Sequence, residues 1–208
     1  MHLAQLLNLR DSGGRLTRGS GLLETWLAKL RFWKARQLFG RVDARGRLLD
    51  VGCGSFPYSL MSLPFSELHG IDLSLSDELI EELGRAGLVL TNVDFTQGLP
   101  YDDDTFDAVT MLASIEHIDY PQETVKEVGR VLRPGGYFVL TTPSSWTEPI
   151  LTLLARVGLL SREELDEHRD LLSPQELREM VLEAGFPLEH FEIGTFEFGL
   201  NQWVRARR

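Results

Sequence analysis

Residues 48–56 read Leu-Leu-Asp-Val-Gly-Cys-Gly-Ser-Phe: a short apolar run, one acid, then two glycines flanking a single residue. Leu48, Leu49 and Val51 have the pattern of a parallel strand covered on both faces. Gly52 and Gly54 then allow a sharp turn and a close backbone approach to a ligand, which a Cβ would obstruct. A strand running into a glycine turn is how doubly wound α/β proteins hold a nucleotide-like ligand at the carboxyl edge of the sheet. The motif is short, and it gains weight only from its downstream neighbours and their spacing.

Past the glycine turn, strands and helices alternate. Arg47–Val51 is read as the first strand and Glu67–Asp72 as the second, ending in an acid. Asp77–Ala86 is a helix stopped by Gly87, followed by strands at Leu88–Val93 and Phe106–Leu112. Pro121–Leu132 is a helix ending in the turn Arg133-Pro134-Gly135-Gly136, before a fifth strand at Tyr137–Thr142. Ser173-Pro174-Gln175-Glu176 is a helix start, with a capping serine, proline at the first position and glutamate at the third. That helix runs to Ala184 and stops at Gly185. Two last strands near Leu188–Ile193 and Phe196–Val204, joined through Gly194-Thr195, make an antiparallel hairpin. Ahead of this core, residues 1–20 read as loose, and Gly21–Phe39 as an amphipathic helix whose Trp26 and Trp33 face the core or a lid. Thr147–Val157 and Ser161–His168 read as helices of a lid. The pattern is that of a mostly parallel sheet of about seven strands. It divides the chain into a tail and cap helix (1–46) and an α/β domain (47–208) carrying a helical insertion (143–172).

The 208 residues, 43% hydrophobic and 25% charged, suit one globular domain. Neither a signal peptide nor a transmembrane segment is expected; Ile150–Leu160, the most apolar late stretch, is short and interrupted by Arg156. A single cysteine, Cys53, leaves no intramolecular disulfide and no multi-cysteine zinc site, so the expected compartment is the cytoplasm. The net charge of −10 argues against broad nucleic-acid binding. It is unevenly spread: residues 1–47 hold ten Lys/Arg against three acids, a surplus of +7 that leaves −17 on the remainder. Such a basic segment meets an anionic substrate, a lipid headgroup or RNA, or is a solvated face attracted to its own acidic body.

Asp72, twenty-two residues after Asp50, closes the second strand, where a carboxylate accepts from both hydroxyls of an adenosine ribose. Asp94, followed by Phe95, stands where an acid accepts an adenine amino group and an apolar neighbour packs on the ring. A dinucleotide fingerprint wants a third glycine where Pro57 stands, which counts against a nicotinamide cofactor.

Six stretches together carry a resemblance: Leu-Asp-Val-Gly-Cys-Gly (49–54), Gly-Ile-Asp-Leu-Ser (70–74), Asn-Val-Asp-Phe (92–95), Leu-Pro-Tyr-Asp-Asp-Asp-Thr-Phe-Asp-Ala-Val (99–109), Glu-His-Ile (116–118) and Arg-Val-Leu-Arg-Pro-Gly-Gly-Tyr (130–137). In order and spacing the chain resembles the class I S-adenosylmethionine-dependent methyltransferases, small-molecule branch. A softer likeness links residues 52–58, Thr141–Trp146 and Glu167-His168 to methyltransferases of bacterial polysaccharide and glycolipid gene clusters. The resemblance implies a Rossmann-like fold and S-adenosyl-L-methionine as cofactor, with S-adenosyl-L-homocysteine as product. It also implies roles. Gly52, Cys53 and Gly54 would cradle the methionine end, with Asp50 near its amino group. Asp72 would hold the ribose, Leu73 pack on adenine, Asp94 and the Phe95 amide read the adenine edge, and Leu112 contact the methionyl amine. Phe56 replaces a glycine common in the family, which leaves a binding scaffold without turnover as an alternative.

Methyl transfer to a hydroxyl gains from alignment and from a positioned base. His117 is the leading base and Glu116 its neighbouring alternative; the competing reading of His117 is a helix-packing residue. His168 in the lid ranks lower, and no metal is expected. The expected acceptor is a small or lipid-linked molecule, a sugar hydroxyl among them, with peripheral membrane contact through the basic helix. RNA methylation ranks below it, because Leu112-Ala-Ser-Ile115 replaces an Asn/Asp-Pro-Pro-Tyr-type loop. The protein is expected as a monomer or homodimer.

Overall fold

The computed structural model describes residues 22–40, 46–54, 57–95, 98–147 and 171–208. The 147–157 and 161–168 lid helices, the 1–20 tail, Phe56 and His168 fall outside them, apart from Thr147, as does the side chain of Trp26.

Seven strands form one sheet: β1 (Arg47–Val51), β2 (Glu67–Asp72), β3 (Leu88–Asn92), β4 (Phe106–Leu112), β5 (Leu132–Pro143), β6 (Phe191–Phe196) and β7 (Asn201–Arg207). Their order is β3-β2-β1-β4-β5-β7-β6, with β7 antiparallel to both neighbours and the first five strands parallel. The expected α/β, Rossmann-like doubly wound sheet with an antiparallel C-terminal pair is the fold observed. Strand order reverses between β1 and β4, which opens a crevice at their carboxyl ends.

Both faces of the sheet are covered, which is why β1 and β4 are apolar almost throughout. On one face, Leu49, Val51, Val109, Met111, Phe138 and Leu140 pack under α3 (Pro121–Val131) and α4 (Pro174–Glu183). On the other, Leu48, Ala108 and Val139 meet α1 (Leu22–Phe39), the 3-10 helix Pro57–Ser62 and α2 (Asp77–Arg85). Local chemistry sets the boundaries. Ser76 caps α2, with its hydroxyl accepting from Leu79 N–H and acids in the first turn. Ser173 and Glu176 close the reciprocal capping box expected of α4. Arg130 ties the 99–103 loop to α3, donating to the carbonyls of Leu99 and Tyr101 and to the carboxylates of Asp103 and Glu127.

Three expectations are corrected. The Arg133–Gly136 segment is no separate turn: β5 begins at Leu132, paired with Phe106, and reaches Tyr137 across a register shift. Gly135 takes φ +82° there, so the proline and glycines bend the strand instead of ending it. Gly194-Thr195 is not the hairpin turn. These residues lie inside β6, Leu188–His190 is a 3-10 turn, and the chain reverses at Glu197–Leu200. Gly194 is needed for a different reason: a Cβ there would lie 2.7 Å from the Trp203 ring stacked over it. Trp33 is 57% exposed and so lies outside the core, the lid half of that expectation falling outside the described residues; Ala35 and Phe39 fill the buried side of α1, Phe39 edge-on to Phe65 at 5.2 Å.

Candidate active site

The site residues expected from the β1–β4 motifs all lie at the carboxyl edge of those strands. Gly52 and Gly54 take φ of +73° and +70°, which L side chains seldom adopt. The Gly52 and Cys53 N–H groups both donate to Ile71 O, folding the turn back onto β2. A Cβ on Gly52 would lie 2.5 Å from Ser114 Cβ, whereas one on Gly54 would meet no atom of the described residues within 4 Å. The turn is therefore packed behind and open in front. Ser114, which no local motif marks, is the backing: its hydroxyl donates to Val51 O at 2.9 Å.

Asp72 links both loops of the crevice. One carboxylate oxygen accepts from Gly54 N–H at 2.8 Å, the other from the Ser74 N–H and hydroxyl. Each oxygen can accept more than one bond, so capacity remains for a ligand hydroxyl. Leu73 beside it is 61% exposed. Asp94 is exposed and Phe95 half-buried against the core.

Asp50 sits beneath the turn, buried, accepting from Thr110 Oγ1 at 2.6 Å. Burial pushes its carboxyl up to about 7, opposed by the Thr110 bond and reinforced by the Asp72 charge. Thr110 was legible in principle as the polar residue of an otherwise apolar strand. Burial, with the Asp50 and Asp72 charges, pushes the Cys53 thiol up, so no nucleophile forms there. Its sulfur lies over Gly70, where a Cβ would come within 2.9 Å of it.

Past β4, Ala113 adopts φ +55° and donates its N–H to Thr141 O at 2.8 Å. A short 3-10 turn, Ile115–His117, then points its two titratable residues in opposite senses. His117 is exposed. Glu116 is buried and accepts from Thr142 Oγ1 at 3.1 Å. Burial raises Glu116, while His117 and Arg31 pull it back. The crevice thus brings together a cradle open at Gly54, a carboxylate with spare acceptor capacity, an exposed apolar side chain and a buried carboxyl. The described residues contain no helix long and apolar enough to span a membrane, and no group of three metal-ligating side chains.

A Rossmann-like sheet in this strand order, with a glycine turn after β1 and an acid after β2, defines a methyltransferase fold. Comparison with known proteins agrees: the methyltransferase domain family matches residues 25–190. The chain belongs to that family and is a class I S-adenosylmethionine-dependent methyltransferase. The ubiquinone biosynthesis O-methyltransferase of Alkalilimnicola ehrlichii is 29% identical, over 83% of this chain and 72% of that protein. The ubiquinone/menaquinone biosynthesis C-methyltransferase UbiE of Rhodopseudomonas palustris is 27% identical, over 74% and 70%. Among solved structures, an S-adenosylmethionine-dependent methyltransferase of Thermotoga maritima superposes with a TM-score of 0.62 at 20% identity, over 89% of this chain and 93% of that one. The [4+2]-cyclase SpnF superposes with a TM-score of 0.63 at 17% identity, over 85% and 80%. That a cyclase shares the architecture shows that the fold alone does not fix a reaction.

Proposed function

We propose that this protein methylates an oxygen of a small-molecule or lipid-linked acceptor, a saccharide hydroxyl among the candidates, and releases S-adenosyl-L-homocysteine. The observation that carries the cofactor half is the open Gly54 cradle between Asp50 and Asp72, with Leu73 exposed beside it. These residues fit S-adenosylmethionine, whose sulfonium supplies an already activated methyl group. In this reading Gly52, Cys53 and Gly54 bind the methionine end by backbone, with Asp50 and Leu112 near its ammonium group. Asp72 holds the ribose hydroxyls, Leu73 covers the adenine face, and Asp94 with the Phe95 amide reads the adenine edge.

Oxygen as the accepting atom is supported by Glu116, whose buried carboxyl binds a proton more tightly than an exposed one. Glu116 and the exposed His117 follow β4, and in this reading one of the two takes the hydroxyl proton. A positioned base typically contributes about 10²–10⁴-fold. Orienting the acceptor contributes more, about 7–11 kcal/mol at best. The relatives named for quinone O- and C-methylation make an aromatic acceptor the competing reading.

The test is calorimetric titration of S-adenosylmethionine into wild type and Asp72→Ala, followed by transfer of labelled methyl to acceptor panels. Micromolar binding that the variant loses supports the reading. A folded wild type that binds nothing leaves the scaffold without turnover in its place.

A further inference from the structure

Beyond the cofactor crevice, nine described side chains hold a buried polar atom without a hydrogen-bond partner, those of His69, Tyr101, Gln202 and Arg205 among them. The other five atoms are Arg31 Nε, Thr141 Oγ1, Trp203 Nε1, Asn201 Oδ1 and Glu197 Oε1, on α1, β5, β7 and the β6–β7 turn. Five such atoms scattered over a core would destabilise it to no purpose. Here the register gathers them. Thr141 pairs directly with Trp203, and Pro143 with Asn201, so Thr141, Trp203 and Asn201 share the sheet face that α1 covers. Lys34 of α1 sits over the Trp203 ring, 4.6 Å from its centroid. Arg31, one helical turn earlier, interacts electrostatically with both Glu116 and Glu197. Asn201 Nδ2 donates to Glu197 Oε2, which leaves the other oxygen of each side chain open.

The turn that carries Glu197 is held from outside. Glu197 and Phe198 both take positive φ, +53° and +57°, and Phe198 is left 98% exposed. Ser144 Oγ and Trp146 Nε1 donate to Gly199 O at 2.7 and 2.9 Å, and Ser144 N–H donates to Leu200 O at 2.9 Å. Backbone strain of this kind persists where surrounding structure enforces it, and it clusters at functional sites.

We propose that Arg31, Thr141, Glu197, Asn201 and Trp203 form the acceptor site and that its ligand is a polyhydroxylated molecule, a sugar. The chemistry of the open atoms selects the class. Arg31 Nε and Trp203 Nε1 only donate, and Asn201 Oδ1 and a Glu197 carboxylate oxygen only accept. A ligand must therefore supply donors and acceptors side by side, as adjacent sugar hydroxyls do. Quinone carbonyls and phosphate esters supply acceptors and would leave the Asn201 and Glu197 oxygens bare, and the two hydroxyls of a catechol are too few for five open atoms. The site adjoins Glu116 through Arg31, which sets a bound hydroxyl beside the candidate base. This inference rests on the methyltransferase reading for the fate of that hydroxyl, but its binding claim is separable.

Saturation-transfer NMR tests it, with and without S-adenosylhomocysteine. The probes are the methyl glycosides of glucose, galactose, mannose and rhamnose, against catechol and dimethoxyhydroquinone. Glycoside signals are expected on wild type, and are expected to fall about tenfold in Asn201→Leu, the size of one lost hydrogen-bonding group. Thr141→Val guards against a variant that simply unfolds. Removing an unpaired buried hydroxyl should raise the melting temperature by about 2–4 °C while weakening glycoside binding. Signals from the phenols alone, no glycoside signal, glycoside signals unchanged in both variants, or a lower melting temperature for Thr141→Val would each overturn the proposal. Failure of S-adenosylmethionine to bind wild type would instead remove the methyl-transfer reading, with the glycoside result still legible.

Discussion

Asp50→Asn should flatten one component of the protein's pH-dependent stability. Asp50 is buried against Thr110, and its carboxyl is pushed up from 3.8 to about 7, chiefly by desolvation. Between those values the folded chain holds a proton that the unfolded chain has released. Stability therefore falls as pH rises from ~4 to ~7. The full cost is present above ~7 and absent below ~4, where both states are protonated. Three units correspond to about 4 kcal/mol as a ceiling, and about 2–3 kcal/mol of it accrues between pH 5 and 8.5. Asparagine resembles the protonated acid in shape and keeps an oxygen for the Thr110 hydroxyl. Urea midpoints of wild type and variant should lie close at pH 5. At pH 8.5 the variant should be the more stable by roughly that 2–3 kcal/mol. Parallel pH profiles would refute the argument, because Asp50 would then ionise in the fold as readily as in the open chain.

The same carboxyl predicts a linkage: if the ligand's ammonium group lies near Asp50, binding near pH 6 should release up to one proton. Calorimetry in buffers of differing ionisation enthalpy would read it, and the effect should vanish above about pH 8.5. Gly52→Ala should cost about 2–4 kcal/mol in urea melts, because strained φ and the 2.5 Å approach to Ser114 add together. Gly54→Ala should cost only the backbone part, about 1–2 kcal/mol, yet weaken S-adenosylmethionine binding more than its stability loss explains. Gly194→Ala should destabilise by about 1–3 kcal/mol and change the emission of Trp203, against whose ring the new methyl would press.

The parallel half of the fold was legible where a strand is closed by an acid or a glycine, as β1 and β2 are, or is apolar almost throughout, as β4 is. β1, β2 and β4 begin and end where the residues say they should. The second half was less legible. Gly194 looked like a turn because a glycine inside a strand carries the same local signal whether it reverses the chain or admits an indole. The true turn at Glu197–Leu200 holds two non-glycine residues at positive φ, a conformation their types do not advertise. Site residues followed the same division. Asp50, Gly52, Gly54 and Asp72 lie in local motifs. Ser114, Arg31, Asn201 and Trp203 gain meaning only from partners far away in the chain, through register and helix packing.

The position of β7 sets an order of events. It follows β6 in the chain yet lies between β6 and β5, pairing Tyr137 with Arg207 and Phe191 with Ala206. β6 therefore reaches the sheet only through β7, its partner in a local antiparallel hairpin. The β5–β7 pairing spans a long stretch of chain that holds α4 and β6, and closing it costs the more chain entropy for its length. A chain halted before it would carry a bare β5 edge open to a second copy, the setting in which exchanged strands and aggregates begin.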